Sequence, residues 1–267
     1  MEKETSTLEI EKPKEAYEIM KEQIEAGLKE HNRSGLGLFL SSLSAGLEVG
    51  FSILLIGIIY TLFKKEVSTS QLALMMALVY PIGYVFVIIG RSELFTEHTT
   101  LATIPVMNGE ATLKSLANLW ATVYVGNLVG GYIFGSIILY FNTETHLISK
   151  EFFYYVSEKS LKYDASTVFI SGTIAGWLMG MLSWLLSSAQ DTFSRIVVIF
   201  LITFIINLAN LQHCIVGSIA IFMAFFDNSH PLTLTDFLTF QGWATLGNIV
   251  GGVGLVAVVK YAHSKRA

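Results

Sequence analysis

Two stretches of six residues are nearly identical, and each lies inside a long apolar segment. Residues 126–131 read Gly-Asn-Leu-Val-Gly-Gly, and residues 247–252 read Gly-Asn-Ile-Val-Gly-Gly. A second pair, Ala-Gly-Leu-Glu-Val-Gly at 45–50 and Ala-Gly-Trp-Leu-Met-Gly at 175–180, shares its alanine and both glycines. Because both pairs follow the same order along the chain, they predict one structural unit that occurs twice.

The apolar segments that carry these repeats are long enough to cross a bilayer. Hydrophobic residues make up 52% of the 267-residue chain and charged residues only 14%, whereas a soluble domain carries about 25% charged residues. A transmembrane helix needs roughly 20 apolar residues. We expect uninterrupted spans at 36–62, 115–141, 166–187 and 238–261.

The other two apolar segments are interrupted at corresponding places in the two halves. Segment 2 (72–107) has a polar interruption at 91–98, and segment 5 (196–226) has one at 210–213. Because each unit has an odd number of spans, the second unit enters the membrane from the side opposite to the first and has the inverted orientation. The sequence therefore predicts an all-α membrane protein, with six transmembrane helices as an inverted three-helix repeat and helices 2 and 5 interrupted. Paired interruptions of this kind mark a substrate site near the bilayer midplane.

The N-terminal segment is polar and predicts a separate amphipathic helix. Residues 1–33 hold 6 of the 17 Lys and Arg and 9 of the 21 Asp and Glu. Apolar residues at spacings of three and four within 14–31 indicate an amphipathic helix. This helix either lies on the membrane surface or packs against the domain, or else it forms a mobile cover over the cytoplasmic mouth. We divide the chain into this polar segment (1–34), a six-span transport domain (35–262) and a short cytoplasmic tail (263–267).

Lysine and arginine in the loops predict the orientation. With six spans both termini share one side, and that side holds 11 Lys or Arg against 5 on the other. The positive-inside rule then places both termini in the cytoplasm, as expected for a multi-pass protein of the cell inner (plasma) membrane with the lipid bilayer as a partner. The net charge of −4 without a basic patch predicts no nucleic-acid partner.

His213 is the most informative of the polar residues at membrane depth. It lies in the second interruption, and an imidazole titrates near neutral pH. As an imidazolium it would attract an anion and donate a proton to it, so that a neutral acid crosses an apolar constriction. Thr96 holds the corresponding place in the first interruption, where its hydroxyl can bond an imidazole nitrogen. Leu94 and Phe95, just before it, suit an apolar collar.

Further ionisable residues lie at or near membrane depth, where each costs roughly 2.5–3.5 kcal/mol to insert. They are Glu48, Arg91, Glu93, Glu97 and His98. One interpretation pairs Arg91 with Glu93 or Glu97 and bonds Glu48 to a neighbouring helix. The alternative is a proton path through Glu48, Glu97 or His98. No ligand spacing predicts a metal site, and we expect no cofactor.

The repeated segments supply small residues for close helix packing. These helix-packing residues are Gly126, Asn127, Gly130, Gly131, Gly247, Asn248, Gly251 and Gly252.

The sequence resembles the formate/nitrite transporter family over residues 35–262. Gly-Arg-Ser-Glu-Leu-Phe-Thr at 90–96 resembles that family's first interrupted helix, with its Leu-Phe-Thr motif, and Asn-Leu-Gln-His-Cys-Ile at 210–215 resembles its second, with a central His. The resemblance implies an aquaporin-like fold, a homopentamer with one pore per protomer, and small monovalent anions as substrates, often moved with a proton. It also implies Leu94 and Phe95 in the cytoplasmic constriction, with Thr96 paired to His213 at the centre.

The chain departs from the family pattern at several positions. The family often has a vestibule lysine just before the fourth helix, and here Lys162 lies one residue away from that place. Tyr80 and Tyr84 stand where apolar constriction residues are expected, and Ile206 replaces an aromatic residue. The tyrosine hydroxyls would make the constrictions more polar.

Three function classes follow from these patterns. The first is a proton-coupled channel or transporter for formate, nitrite or a similar weak-acid anion. The second is a passive pore for a neutral small solute or a cation, which the added carboxylates and tyrosines favour. The third, a membrane enzyme or sensor, needs a nucleophile–base pair or a metal set that the sequence does not offer, so we expect no enzyme.

Overall fold

The computed structural model describes residues 12–227 and 232–265, and these residues form helices and short connections. The expectations for residues 1–11 and for the end of the tail lie outside the described residues. The helices are α1 (Ala16–His31), α2 (Gly35–Phe63), α3 (Thr69–Val79), α4 (Pro81–Ile89), α5 (Phe95–Leu101), α6 (Thr103–Met107), α7 (Leu113–Thr145), α8 (Lys150–Leu161), α9 (Ala165–Ser188), α10 (Thr192–Leu208), α11 (Val216–Asp227) and α12 (Leu234–Val250). A π-helical stretch (Gly251–Val258) continues α12 into α13 (Val259–Ser264).

Five helical segments among the described residues are long and apolar enough to cross a membrane. They are α2, Thr69–Ile89, α7, α9 and Leu234–Ser264. Two shorter apolar helices, α10 and α11, follow one another with a break between them. The four uninterrupted spans expected from the sequence begin and end within four residues of α2, α7, α9 and Leu234–Ser264. The agreement is close because the thickness of the bilayer sets the length of an apolar transmembrane helix.

Small residues let α2 pack on α7 and α9 pack on α12 with their backbones in contact. A Cβ atom added to Gly46 would meet the carbonyl oxygen of Asn127, and one added to Gly176 would meet that of Asn248. The glycines of the repeated segments are packed in the same way, against neighbouring backbone or side chains. These are Gly126, Gly130, Gly131, Gly247, Gly251 and Gly252.

The N-terminal helix α1 is packed on one end of the bundle. Gln23 is 1% exposed, and its Nε2 donates to the carbonyl of Ser183 at 3.0 Å and to the hydroxyl of Ser187 at 2.6 Å. At the other end of α1, the His31 imidazole lies 2.7 Å from Ser115 Oγ and 2.8 Å from the Ala102 carbonyl. The structure therefore has this helix packed against the domain.

The connection between α7 and α9 contains a helix that the sequence analysis does not predict. Helix α8 turns Phe152, Phe153 and Val156 into the protein, and the two phenylalanines are fully buried. Helix α8 contacts α2, α11 and α12, and so lies at the end of the bundle opposite α1.

Candidate functional site

The chain leaves helical geometry twice within its apolar core. Helix α4 ends at Ile89 and α5 begins at Phe95, while α10 ends at Leu208 and α11 begins at Val216. Each break contains one residue with left-handed backbone, Arg91 (φ 63°) and Asn210 (φ 53°). Such a conformation is uncommon outside glycine, so both breaks depend on the surrounding structure to hold them.

Two buried asparagines bond the breaks in the same way. Asn127 Nδ2 donates to the carbonyls of Ser42 and Glu93 at 2.8 and 2.7 Å, and its Oδ1 accepts from Phe95 N–H at 2.8 Å. The Glu93 carbonyl and the Phe95 N–H lie at the break between α4 and α5, outside the hydrogen bonding of a continuous helix. The repeated asparagine thus replaces the backbone bonds that the break removes.

Asn248 repeats this pattern in the second half. Its Nδ2 donates to the carbonyls of Gly172 and Gln212 at 2.8 and 2.9 Å, and its Oδ1 accepts from Cys214 N–H at 2.9 Å. In each break, a single residue separates the carbonyl and the N–H that the asparagine bonds. This residue lies three positions after the residue with left-handed backbone. That residue is Leu94 in the first break and His213 in the second. The expected equivalence of Thr96 with His213 is wrong by two residues.

Thr96 and His213 nevertheless meet at the centre of the protein. Thr96 Oγ1 lies 2.9 Å from His213 Nε2, and the two residues are 0% and 2% exposed. The backbone N–H groups of Ile215 and Val216 both point at His213 Nδ1, at 3.3 Å. Since Nδ1 accepts, the proton of a neutral ring lies on Nε2 and is donated to Thr96. His213 therefore caps the N-terminus of α11, an arrangement that favours the neutral ring over the imidazolium.

Bulky side chains lie on both sides of this pair. Leu94 and Phe95 are 0% and 2% exposed, and the Phe95 ring packs edge-on against Tyr124. The Tyr80 and Tyr84 hydroxyls bond each other at 2.9 Å, and the Tyr84 ring lies edge-on to the His213 ring at 5.6 Å. Ile206 is buried as well. The tyrosine hydroxyls thus form a polar pair next to His213, inside an otherwise apolar wall.

A small cavity of about 70 Å³ reaches His213 from the α8 end. Tyr80, Lys159 and Gln212 are among the residues that line it. The lysine in this cavity is Lys159, whereas Lys162 is exposed with its Nζ 4.9 Å from the Tyr163 ring centroid. Burial, together with the nearby charge of Lys162, lowers the pKa of Lys159 to about 8. Sequence reasoning missed Lys159 because it did not predict α8; the apolar spacing of Phe152, Phe153 and Val156 was the available signal.

A larger cavity of about 930 Å³ lies beneath α1 at the other end, and we call it the α1 chamber. Acidic and basic side chains line it together. Glu93 pairs with Arg33 at 2.7 Å and with His98 at 3.0 Å, and Arg33 also pairs with Glu30 at 3.1 Å. The expected pairing of Arg91 with Glu93 is therefore wrong, because the left-handed turn at Arg91 leaves its side chain exposed while Arg33 reaches Glu93 from the end of α1. Arg33 was not among the predicted site residues.

The remaining acidic residues occupy different surroundings. Glu97 lines the α1 chamber. Glu48 bonds Ser44 of its own helix at 2.8 Å, not a neighbouring helix, and its second oxygen is buried with no hydrogen-bond partner among the described residues. Residues four apart are neighbours on a helix face, so Ser44 lies closer to the Glu48 carboxylate than a partner on another helix would.

Three side chains around Arg33 have the chemistry of metal ligands. Glu30, Glu93 and His98 each offer one ligand atom, and these atoms lie within 4.8 Å of one another. The Arg33 guanidinium lies against both carboxylates. Arg33 therefore supplies a positive charge beside the Glu30 and Glu93 carboxylates.

Comparisons with known proteins identify the family of the chain. A sequence model of the formate/nitrite transporter family matches residues 17–262. The inner membrane protein YfdC of Escherichia coli (strain K12) is 33% identical over 259 residues, covering 94% of this chain and 79% of that protein.

Two solved structures share the fold. One, described as an FNT family ion channel, has a TM-score of 0.80 at 22% identity and covers 92% of this chain and 98% of that one. The other, described as a pentameric formate channel with formate bound, has a TM-score of 0.72 at 21% identity and covers 86% and 97%. With a family model that matches almost all of its length, this multi-pass membrane protein belongs to the formate/nitrite transporter family.

Proposed function

We propose that the protein passes small monovalent anions, such as formate or nitrite, through a path beside Thr96 and His213. The observation that carries this proposal is the pair itself: the Thr96 oxygen accepts from His213 Nε2–H at 2.9 Å, which leaves the Thr96 O–H to donate, between an apolar collar and a tyrosine pair. Donors held in a dry site suit an anion and offer little to a cation. The related channel with formate bound supports the same substrate class.

The proposed architecture is an inverted repeat of six spans in a homopentamer, with one path in each protomer. The matching asparagine bonds of the two breaks support the repeat. The related pentameric channel supports the assembly. The excess of Lys and Arg on the side of the termini supports a cytoplasmic α1 chamber.

The hydrogen bonds of His213 support proton coupling at this residue. Uptake of a proton at Nδ1 forms an imidazolium and gives up the contacts to the N–H groups of Ile215 and Val216. The cation attracts an anion, and Nε2 then donates its proton to an anion oxygen. The neutral acid crosses the collar of Leu94 and Phe95, while the ring returns to a neutral form. Because α11 disfavours a cation at its N-terminus, proton transfer to the anion is favoured once the anion arrives.

A substrate screen in proteoliposomes tests this function. We expect formate, nitrite, acetate or lactate to enter faster than in protein-free liposomes, and glycerol and potassium to enter at the protein-free rate. Swelling driven by glycerol, or a potassium flux without anion flux, would instead support the passive pore that the carboxylates and tyrosine hydroxyls favour.

Lys159 gives the path a pH dependence at the α8 end. Since its pKa is about 8, its positive charge is complete well below that pH and is lost as the pH on that side rises through it. We expect anion entry at sub-saturating concentration to fall several-fold over this range. Lys159→Gln should give the low rate at every pH, and Lys159→Arg should keep the high rate above pH 8.

Lys162→Gln is the matched variant for this test. It removes a neighbouring charge that lowers the pKa of Lys159, so the fall in rate should move to higher pH. An unchanged midpoint in this variant, together with a normal pH profile in Lys159→Gln, would rule out the role of Lys159.

A further inference from the structure

His98 is a buried imidazole, and one of its nitrogens has no hydrogen-bond partner in the described part of the chain. It lies in α5 and is 0% exposed. Its Nδ1 lies 3.1 Å from the carbonyl oxygen of Leu94. Because a carbonyl oxygen only accepts, Nδ1 carries a proton, and the Nε2 of a neutral ring has a free lone pair. This Nε2 is the nitrogen without a partner.

A carboxylate oxygen lies beside this nitrogen but off its axis. Nε2 is 3.0 Å from Glu93 Oε2, yet the contact lacks the alignment of a hydrogen bond. A proton on Nε2 would therefore point past this oxygen. Two atoms 3.0 Å apart, each bonded at about 2.1 Å to one ion, form an angle of about 90° at that ion, as in octahedral coordination. The off-axis contact thus has the geometry of two ligands of one cation.

Glu30 brings a third ligand to the same place. The ligand atoms of Glu30, Glu93 and His98 lie within 4.8 Å of one another, and ligands on opposite sides of an ion with bonds of about 2.1 Å are about 4.2 Å apart. A small rotation of the Glu30 side chain is therefore enough to complete the set. One imidazole with two carboxylates suits a divalent transition metal such as zinc, whereas calcium and magnesium take oxygen ligands.

Arg33 holds both carboxylates and leaves one oxygen of each free for an ion. Its guanidinium bonds Glu93 Oε1 at 2.7 Å and Glu30 Oε2 at 3.1 Å. Ligating carboxylates are usually held by outer hydrogen bonds of this kind, and ligating imidazoles usually donate their other N–H to a carbonyl, as His98 does to Leu94. Arg33 is therefore placed to orient the ligands.

Negative charge is in excess around this group, and the α1 chamber gives a cation access to it. The carboxylates of Glu30, Glu93 and Glu97 lie within electrostatic reach of one another. Arg33 bonds two of them, while Arg91 acts on Glu97 from an exposed position where solvent screens it. All three carboxylates line the α1 chamber. An ion bound here could take the rest of its ligands from water in that cavity.

We propose that Glu30, Glu93 and His98 form a binding site for one divalent transition-metal ion, such as Zn²⁺, in the wall of the α1 chamber. Arg33 orients the two carboxylates. The ligands come from the end of α1, the break after α4 and helix α5, so their spacing in the sequence does not predict the site. A bound ion would tie α1 to the break that carries the collar.

The zinc content of the purified protein tests the site directly. The chain is purified without a histidine tag, given an excess of Zn²⁺ and passed over a chelating resin before its zinc is measured by mass spectrometry. We expect about one zinc ion per wild-type chain.

Two ligand variants should lose this ion. We expect His98→Gln and Glu30→Gln to keep at least about tenfold less zinc than the wild type, because even the loss of a second-shell partner weakens metal binding about 10- to 100-fold. Glu30→Gln keeps an oxygen that can accept from Arg33, so it should fold as the wild type does. A wild type that keeps no zinc, or equal zinc in the wild type and both variants, would overturn the proposal.

Two exposed residues of the same types supply matched controls. Glu25 lies on α1 and pairs with Lys21 at 3.9 Å, with both side chains 66% exposed, and His263 is exposed near the end of α13. Glu25→Gln and His263→Gln should keep the zinc content of the wild type. A loss in either control as large as in the ligand variants would contradict the proposed site.

X-ray absorption at the zinc edge identifies the ligands in the wild type, without any substitution. The proposed site predicts one imidazole, with oxygen neighbours at about 2.0–2.2 Å. A sulfur neighbour, or two or more imidazoles, would assign the ion to other residues and overturn the proposal. Because neither measurement involves transport, the result does not depend on the proposed anion path.

Discussion

Replacement of Asn248 by leucine is expected to destabilise the protein by about 2–6 kcal/mol. Leucine has nearly the same shape, but it leaves the N–H of Cys214 and the carbonyl of Gln212 without partners in a buried break. Each buried group that loses its partner costs about 1–3 kcal/mol. Thermal unfolding of the detergent-solubilised protein, followed by circular dichroism, measures the loss.

Asn127→Leu should cost a similar amount, since Asn127 bonds the first break in the same pattern. Asn118→Leu is the control, because Asn118 is an exposed residue of α7, and its melting temperature should stay near that of the wild type. If Asn248→Leu melted together with Asn118→Leu, the breaks would not depend on the asparagines.

Replacement of His213 by phenylalanine should reduce anion flux by about tenfold to a hundredfold while the protein still folds. Phenylalanine keeps a flat aromatic ring, somewhat larger than imidazole, but it lacks the Nε2 donor to Thr96 and the Nδ1 acceptor that caps α11. A hydrogen bond to a charged partner contributes about 1.5–3 kcal/mol, and 1.4 kcal/mol corresponds to a factor of ten in rate. Initial rates of formate uptake into proteoliposomes measure the effect.

Two conservative variants separate the roles of this residue. His213→Asn keeps an N–H donor and a capping oxygen but cannot take up a proton, so it should pass anions with a rate that no longer depends on pH. Thr96→Val removes only the hydroxyl and should lower the rate while keeping the pH dependence. Equal, pH-insensitive flux in the wild type and in His213→Asn would reject the proton role of His213.

The sequence predicted the positions of the long transmembrane helices, because the bilayer requires apolar runs of a certain length. Apolar run length predicted the ends of α2, α7 and α9 to within a few residues. The resemblance to a family supplied the closeness of Thr96 and His213, which run length and periodicity alone do not give.

Residue type alone did not predict which residue of the first break corresponds to which residue of the second. Matching Thr96 to His213 by polarity failed, because the equivalence is set by the left-handed residues Arg91 and Asn210 and by the asparagine bonds. These are long-range contacts, and a single sequence carries no record of which carbonyl meets which amide.

Charged residues outside the apolar segments were also missed. Arg33 reaches Glu93 across 60 positions of sequence, and Lys159 reaches the cavity beside His213 only because α8 turns back over the bundle. Both depend on where a connection folds, which a hydropathy pattern does not determine.

Simultaneous recording of anion and proton uptake tests the central claim most directly. Wild-type proteoliposomes would be given an inward formate gradient, with an internal pH dye and a formate assay read on the same sample, beside His213→Asn. We predict that the wild type takes up formate together with protons, and that His213→Asn takes up formate without them. Formate uptake no faster than in protein-free liposomes, or the same proton uptake in both proteins, would contradict the account.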